Sequence, residues 1–270
     1  MVVDLPFPVE SPDRILEAVL EKAGPHTRLA LLDHVTSQTA LVLPVEELVR
    51  DLSARGILVL VDGAHAPGML PLDLEALGAD FYTGNCHKWI CAPKGAALLW
   101  VRRDLQDLVR PTSISHGANS PRSDRSRYLL EFGWTGTDDP TAALCVPAAI
   151  DFLEAALPGG LPAVMARNHA LAVEGRKLLC EALRIPPPCP ESLLGSMAAV
   201  PLPDGEADPP AAPGRRDPLQ EALHVRFGIE VPVISWPAPP RRLLRISAQL
   251  YNAPAQYQRL AGALGELLGP

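Results

Sequence analysis

Short apolar runs punctuated by glycine and proline set the rhythm of the first half of the chain. Residues 28–33 (RLALLD), 57–61 and 96–101 are three of them. Each is too short for a helix, rich in Leu and Val, and bounded by turn-forming residues, which predicts buried strands of a parallel sheet. Between the runs, apolar positions recur at helical spacing. Ser11-Pro12-Asp13 predicts a helix start, with a capping hydroxyl, Pro at the first helical position and an acid near the positive end of the dipole. Ile15, Leu16, Val19 and Leu20 form its apolar stripe, and Gly24 stops it. A second amphipathic helix is predicted over residues 44–55, ended by Gly56. Strands alternating with helices make an α/β pattern.

The second half changes character. Asp138 and Asp139 are expected to cap a helix over 140–156, and a longer helical pattern runs over 161–183. Strands are predicted at 196–202, 229–235 and 243–247, a helix at 219–227 ended by Gly228, and a closing helix at 254–268 with Asn252 as its cap. A Pro-rich polar insert over 203–218 is expected to be a mobile loop. The organisation predicted is a larger domain over 1–156, with a mainly parallel sheet, and a small α+β domain over 157–270.

Composition narrows the class. The chain has 270 residues with 47% hydrophobic content, enough for one large domain or two modest ones. A net charge of −7 and a pI near 5.5 give no electrostatic support for a nucleic-acid partner. No apolar run approaches the roughly 20 residues that span a bilayer. Cys86, Cys91, Cys145, Cys180 and Cys189 are scattered without metal-ligand spacing, so reduced thiols, no metal and a cytoplasmic setting are expected. Thirty prolines are about twice the usual share of roughly 5%.

Candidate chemistry concentrates between Leu58 and Val101. The run to Val61 ends on Asp62, followed by Gly63, Ala64 and His65; Lys88 comes later, between His87 and Trp89. In open α/β sheets ligands bind beyond the carboxyl ends of the strands, where Asp62 falls. The approach to the lysine, Thr83-Gly84-Asn85-Cys86, reads as turn-rich. A lysine amine can form a Schiff base with an aldehyde cofactor, and a carboxylate can hold a pyridine nitrogen protonated. Singly, an acid closing a strand is often a helix cap and a lone lysine a solvated charge. The ordered set VDGAHAPG, GADF, GNCHKW and PKGAALLWV is far more specific.

That set resembles the class V aminotransferase family of fold-type I pyridoxal-phosphate (PLP) enzymes, and within it the isopenicillin N epimerase-like branch. The resemblance implies Lys88 as the Schiff-base lysine and Asp62 as the partner of the pyridine nitrogen. It places His65 beside the cofactor's phenolic oxygen, Asn85 and His87 near its phosphate, and His34, Thr36 and Ser37 toward its ring. Gly136 and Thr137 match a Gly-Thr pair that reaches the phosphate of the neighbouring subunit in a homodimer. Arg245, with Ser247, Tyr251 and Asn252 around it, matches the arginine that grips the substrate carboxylate. Without the resemblance, Thr36 and Ser37 read as turn chemistry, and Arg122, Arg125 and Arg127 as a solvated basic loop.

The resemblance implies a PLP-dependent enzyme acting on an amino acid, with epimerisation, transamination and carbon–sulfur lysis all open. Cysteine desulfurases need a nucleophilic Cys shortly before the carboxylate-binding Arg, and residues 219–245 hold none. Family members carry a further N-terminal portion with a phosphate-binding loop and a ring-stacking side chain. The expectation is therefore of an N-terminally truncated chain that binds PLP weakly, turns over little and associates through uncovered sheet. The alternative is a paralogue that keeps the fold for binding only.

Overall fold

A computed structural model of the chain describes residues 1–207 and 216–269. Helix α1 (Pro12–Lys22) buries Ile15 and Val19, with Leu16 and Leu20 packed against the same core; Ser11 stands at its N-cap, but its hydroxyl makes no capping bond. There follow β1 (Leu29–Asp33), α2 (Val45–Ser53), β2 (Leu58–Gly63), the single turn α3 (Leu74–Leu77), β3 (Phe81–Asn85) and β4 (Ala97–Val101). These strands make one sheet in the order β1-β2-β3-β4.

β1 to β3 run parallel, with the buried residues Val59, Val61 and Tyr82 pointing into the core. β4, expected to join the parallel set, runs antiparallel to β3. A parallel return needs a crossover of a dozen or more residues, usually a helix, and the 86–96 connection is a tight helix-free loop. The turn expected over 83–86 is corrected too. Thr83, Gly84 and Asn85 belong to β3, flanked by both β2 and β4, and only Cys86 leaves the strand. Flanking strands supply ladder partners on both sides, which outweighs the turn preference of Gly and Asn. Buried Asp80 closes the far end of the sheet, accepting from the Val59 N–H at 2.6 Å and pairing with Arg102 at 2.5 Å.

The chain continues through α4 (Arg127–Gly133), α5 (Thr141–Leu144), α6 (Val146–Ala156) and α7 (Gly160–Leu183), then β5 (Met197–Leu202), α8 (Pro218–Phe227), β6 (Val233–Ser235), β7 (Arg242–Ser247) and α9 (Pro254–Leu268). The helix expected over 140–156 is thus two, broken at Cys145, because Pro147 brings no N–H for a continuous ladder. Pro140, not Asp138 or Asp139, stands at the N-cap of α5, and the Asp139 carboxylate accepts the Thr141 N–H at 2.9 Å from one position further out. For α9 the cap is Ala253, whose N–H meets the Gln256 side chain at 3.0 Å, while Asn252 accepts from the Gln249 N–H instead. Of the Pro-rich insert, residues 208–215 lie outside the described residues.

β5, β7 and β6 form a second, antiparallel sheet in that order. One buried cluster joins Val59 and Val61 of the first sheet to Leu179 of α7, Leu244 of β7 and Leu264 of α9. The shared core holds the second sheet against the first, which is how a residue on β7 reaches the strand ends of β1 and β2. Among the described residues no single helix is long and apolar enough to cross a membrane.

Candidate active site

Asp33, the last residue of β1, pairs in register with Asp62, the last but one of β2. The Asp62 carbonyl accepts the His34 N–H at 2.8 Å, and its carboxylate accepts the Ala64 N–H at 2.9 Å. Burial and the adjacent Asp62 charge hold Asp33 above the usual carboxylate range. Behind them His34 is buried, with Nδ1 2.9 Å from the Tyr82 hydroxyl; burial pushes its ring down to about 4 and raises the phenol.

Lys88 sits in the 86–96 loop. The Cys86 and His87 N–H groups both donate to the Ala96 carbonyl, at 3.0 and 3.3 Å, and the Cys91 N–H returns to the Lys88 carbonyl at 3.1 Å. Lys88 Nζ lies 3.3 Å from His65 Nε2, and Trp89 Nε1 lies 3.4 Å from His65 Nδ1. Burial lowers the affinity of Lys88 for its proton; Asp62 opposes this, and the Arg245 charge adds to it. His65 is pushed down to about 4 by burial, then by the Lys88 and Arg245 charges.

Gly68 makes this packing possible. Its φ is +80°, and an added Cβ would fall 2.7 Å from the Trp89 carbonyl carbon. A side chain there meets backbone, which cannot swing aside. Gly68→Ala should therefore lower unfolding free energy by about 1–3 kcal/mol, read as a reduced denaturation midpoint. An unchanged midpoint would show that the 65–70 turn is free to move off the lysine loop.

Arg245 comes from β7 in the second sheet. Its Nη1 donates to the Ser37 carbonyl and, at 3.3 Å, to the Ser37 hydroxyl. Its Nε is buried and finds no partner among the described residues. Burial lowers its basicity, though a guanidinium stays charged. A cavity of about 250 Å³ brings Arg245 together with His65, Lys88, Trp89, Cys91 and Gln249.

The fold therefore assembles Asp62, His65, Lys88, Ser37 and Arg245 from three separate stretches. Asn85 ends β3 beside the lysine loop, and His87 donates Nδ1–H to the Ala96 carbonyl at 3.0 Å. Thr36 spends its hydroxyl on Thr39 and the Leu41 N–H, the turn chemistry its residue type suggests. Thr137 is exposed between α4 and α5 and does not line the cavity. Arg122 and Arg127 are ion-paired with Asp124 and Glu131. Unforeseen in the sequence were Trp89 against His65, and Gln249, whose amide donates to the Trp89 carbonyl at 3.4 Å while its oxygen accepts from buried Asn168 at 2.7 Å. The Trp in HKW was visible, but its partner was not.

Residues 7–186 match the class-V aminotransferase family model. The chain belongs to that family. It is 39% identical to an isopenicillin N epimerase of Amycolatopsis lactamdurans over 96% of this chain and 65% of that protein. It is 35% identical to a probable chloroplastic L-cysteine desulfhydrase of Arabidopsis thaliana, over 98% and 58% respectively. The chain thus spans about two thirds or less of the length of these class-V relatives. An apo cysteine desulfurase from Thermococcus onnurineus NA1 shares the fold, with a TM-score of 0.69 at 20% identity, over 95% of this chain and 62% of that one. Class-V aminotransferases are PLP enzymes of fold type I, and the mainly parallel sheet with Lys88 in the loop after β3 is this chain's form of that fold.

Buried His34 and half-buried His65 set an acid limit on the stability of this class-V chain. Each has an ordinary value of 6.5 and a folded value of about 4, so the unfolded chain takes up protons first. Stability is complete above 6.5 and falls as the pH drops toward 4, by on the order of 1–3 kcal/mol per ring. Urea midpoints between pH 7 and 4 should show the decline, and His34→Gln should flatten it. An equal slope in that variant would remove His34 from the account.

Proposed function

We propose that this chain carries the lysine side of a PLP site and acts on an amino acid, by epimerisation or carbon–sulfur lysis in the manner named for its relatives, or by transamination. The observation that carries the reading is the convergence of a half-buried amine, Lys88, with His65 and the unpartnered Nε of Arg245 around one cavity, the Asp62 charge lying near enough to act on the amine without lining that cavity. These residues fit the cofactor. An amine shielded from full charge suits an aldehyde carbon, a carboxylate at a parallel-strand end suits a protonated ring nitrogen, and a buried N–H without an acceptor suits an incoming carboxylate.

When bound, PLP supplies an electron sink for the bonds at the substrate's α-carbon. Lys88 then serves as the base that takes the α-proton, and returning it to either face is what epimerisation requires. Asp62 holds the ring-nitrogen proton in place. Asn85, at the end of β3, and His87, within the lysine loop, would hold the phosphate, and exposed Thr137 would serve the phosphate of a second copy in a homodimer. Arg245, steadied by Ser37, orients the substrate carboxylate. The five free cysteines suit a reducing, cytoplasmic setting.

Mixing the chain with PLP and recording the visible spectrum tests the reading. A new band, and a borohydride-stable mass increment on the peptide bearing Lys88, are expected. A colourless protein that still folds would favour the binding-only paralogue. Asp62→Asn should depress turnover more than cofactor retention, because it weakens the charge on the ring nitrogen and leaves the lysine link intact. Equal losses in both would assign Asp62 a structural role.

A further inference from the structure

His65 stands between two nitrogens, Trp89 Nε1 at 3.4 Å from Nδ1 and Lys88 Nζ at 3.3 Å from Nε2. The indole nitrogen donates and cannot accept. A proton on Nδ1 would set N–H against N–H, so a neutral ring keeps its single proton on Nε2. That Nε2–H then faces Lys88 Nζ, which can receive it only as an uncharged amine, since an ammonium has no lone pair. The opposite arrangement, ammonium donating to a bare Nε2, forces the ring proton onto Nδ1 and against the indole. At 3.4 Å the indole contact is long for a hydrogen bond, yet the repulsion that selects the tautomer acts at that distance too. The indole cannot retreat. Trp89 is 8% exposed, packed with Met69 and Met197, pressed by the Gly68 turn, and held at its carbonyl by Gln249.

We infer that Trp89 is a positioning residue for the lysine: its indole N–H selects the His65 tautomer protonated on Nε2, and that tautomer holds Lys88 Nζ as the free amine. The consequence rests on the PLP reading, because an uncharged amine is the form that attacks an aldehyde carbon. The other charged groups facing the pair are Asp62, which favours the ammonium, and Arg245, which disfavours it; Cys91 and Tyr251 line the same cavity. The burial-driven fall in Lys88 basicity acts in the same direction as the tautomer.

The test needs no cofactor. In the wild-type chain, ¹⁵N shifts of the His65 ring should show a bare Nδ1 and a protonated Nε2, and the Lys88 Cε shift followed against pH gives the titration midpoint of the amine. Trp89→Phe should let the tautomers mix and raise that midpoint by roughly 0.5 to 1 in pH, the equivalent of one hydrogen bond. Benzothienylalanine in place of Trp89 keeps the bicyclic shape without the N–H and should do the same, which separates the effect from repacking. A proton on Nδ1 in the wild type, or an unmoved midpoint in both replacements, overturns the inference. A chain that ignores PLP while showing the expected tautomer and midpoints overturns the cofactor reading and supports this one.

Discussion

Lys88→Ala should leave the protein blind to PLP, with no visible band and no adduct after borohydride reduction. The expectation follows from the site itself. Among the described residues Lys88 is the one amine that lines the cavity, 3.3 Å from His65 Nε2. Lys94, the other lysine of the 86–96 loop, is exposed and does not line that cavity. Removing Nζ removes the amine positioned for the aldehyde, so the loss is of the covalent link itself rather than of a fraction of affinity. Lys88→Arg should fail as completely, because a guanidinium keeps its proton throughout the accessible range. Trapped cofactor in Lys88→Ala would move the reactive amine elsewhere and undo the reading.

Arg245→Ala should raise the amino-acid concentration needed for reaction by roughly ten- to hundredfold, the worth of one charge-assisted hydrogen bond. The guanidinium is already tethered through Nη1 to Ser37, so it enters the encounter ordered, and its buried Nε lacks an acceptor that a carboxylate oxygen would supply. Because the contact exists before chemistry begins, the effect falls on the concentration dependence more than on the rate at saturation. Arg245→Lys should not restore the wild-type value, since an ammonium cannot present the planar fork. Spectral titration with amino acids and with their decarboxylated amines separates the possibilities. Wild type should prefer the acid strongly and Arg245→Ala should not; a retained preference would assign carboxylate recognition to another group.

Much of the fold was written along the chain. The leucine-rich runs at β1 and β2 fixed two parallel strands because a five-residue apolar segment between Gly and Pro has few other ways to bury itself. α1, α2, α7 and α8 could be placed from their stripes and stops, Gly228 ending α8 in the left-handed conformation as expected. The misreadings have separate causes. Thr83-Gly84-Asn85 carry turn preferences and yet form β3, because ladder hydrogen bonds made with distant residues overrode local propensity. The antiparallel sense of β4 depends on loop length, and the break at Cys145 on the N–H that Pro147 lacks.

The candidate site divides in the same way. Asp62, His65 and Lys88 could be named from a single stretch because their chemistry depends on residue type and order along one β-loop-β unit. What only the tertiary structure decided is how they are poised. Arg245 meets Ser37 across 208 positions of sequence, Gln249 reaches the Trp89 carbonyl from the end of the chain, and the indole N–H of Trp89 selects which nitrogen of His65 carries the proton. Proton affinity and tautomer are set by burial and by neighbours within a few ångströms, and a linear sequence holds no record of those distances until the core of β1, β2 and β7 brings them together.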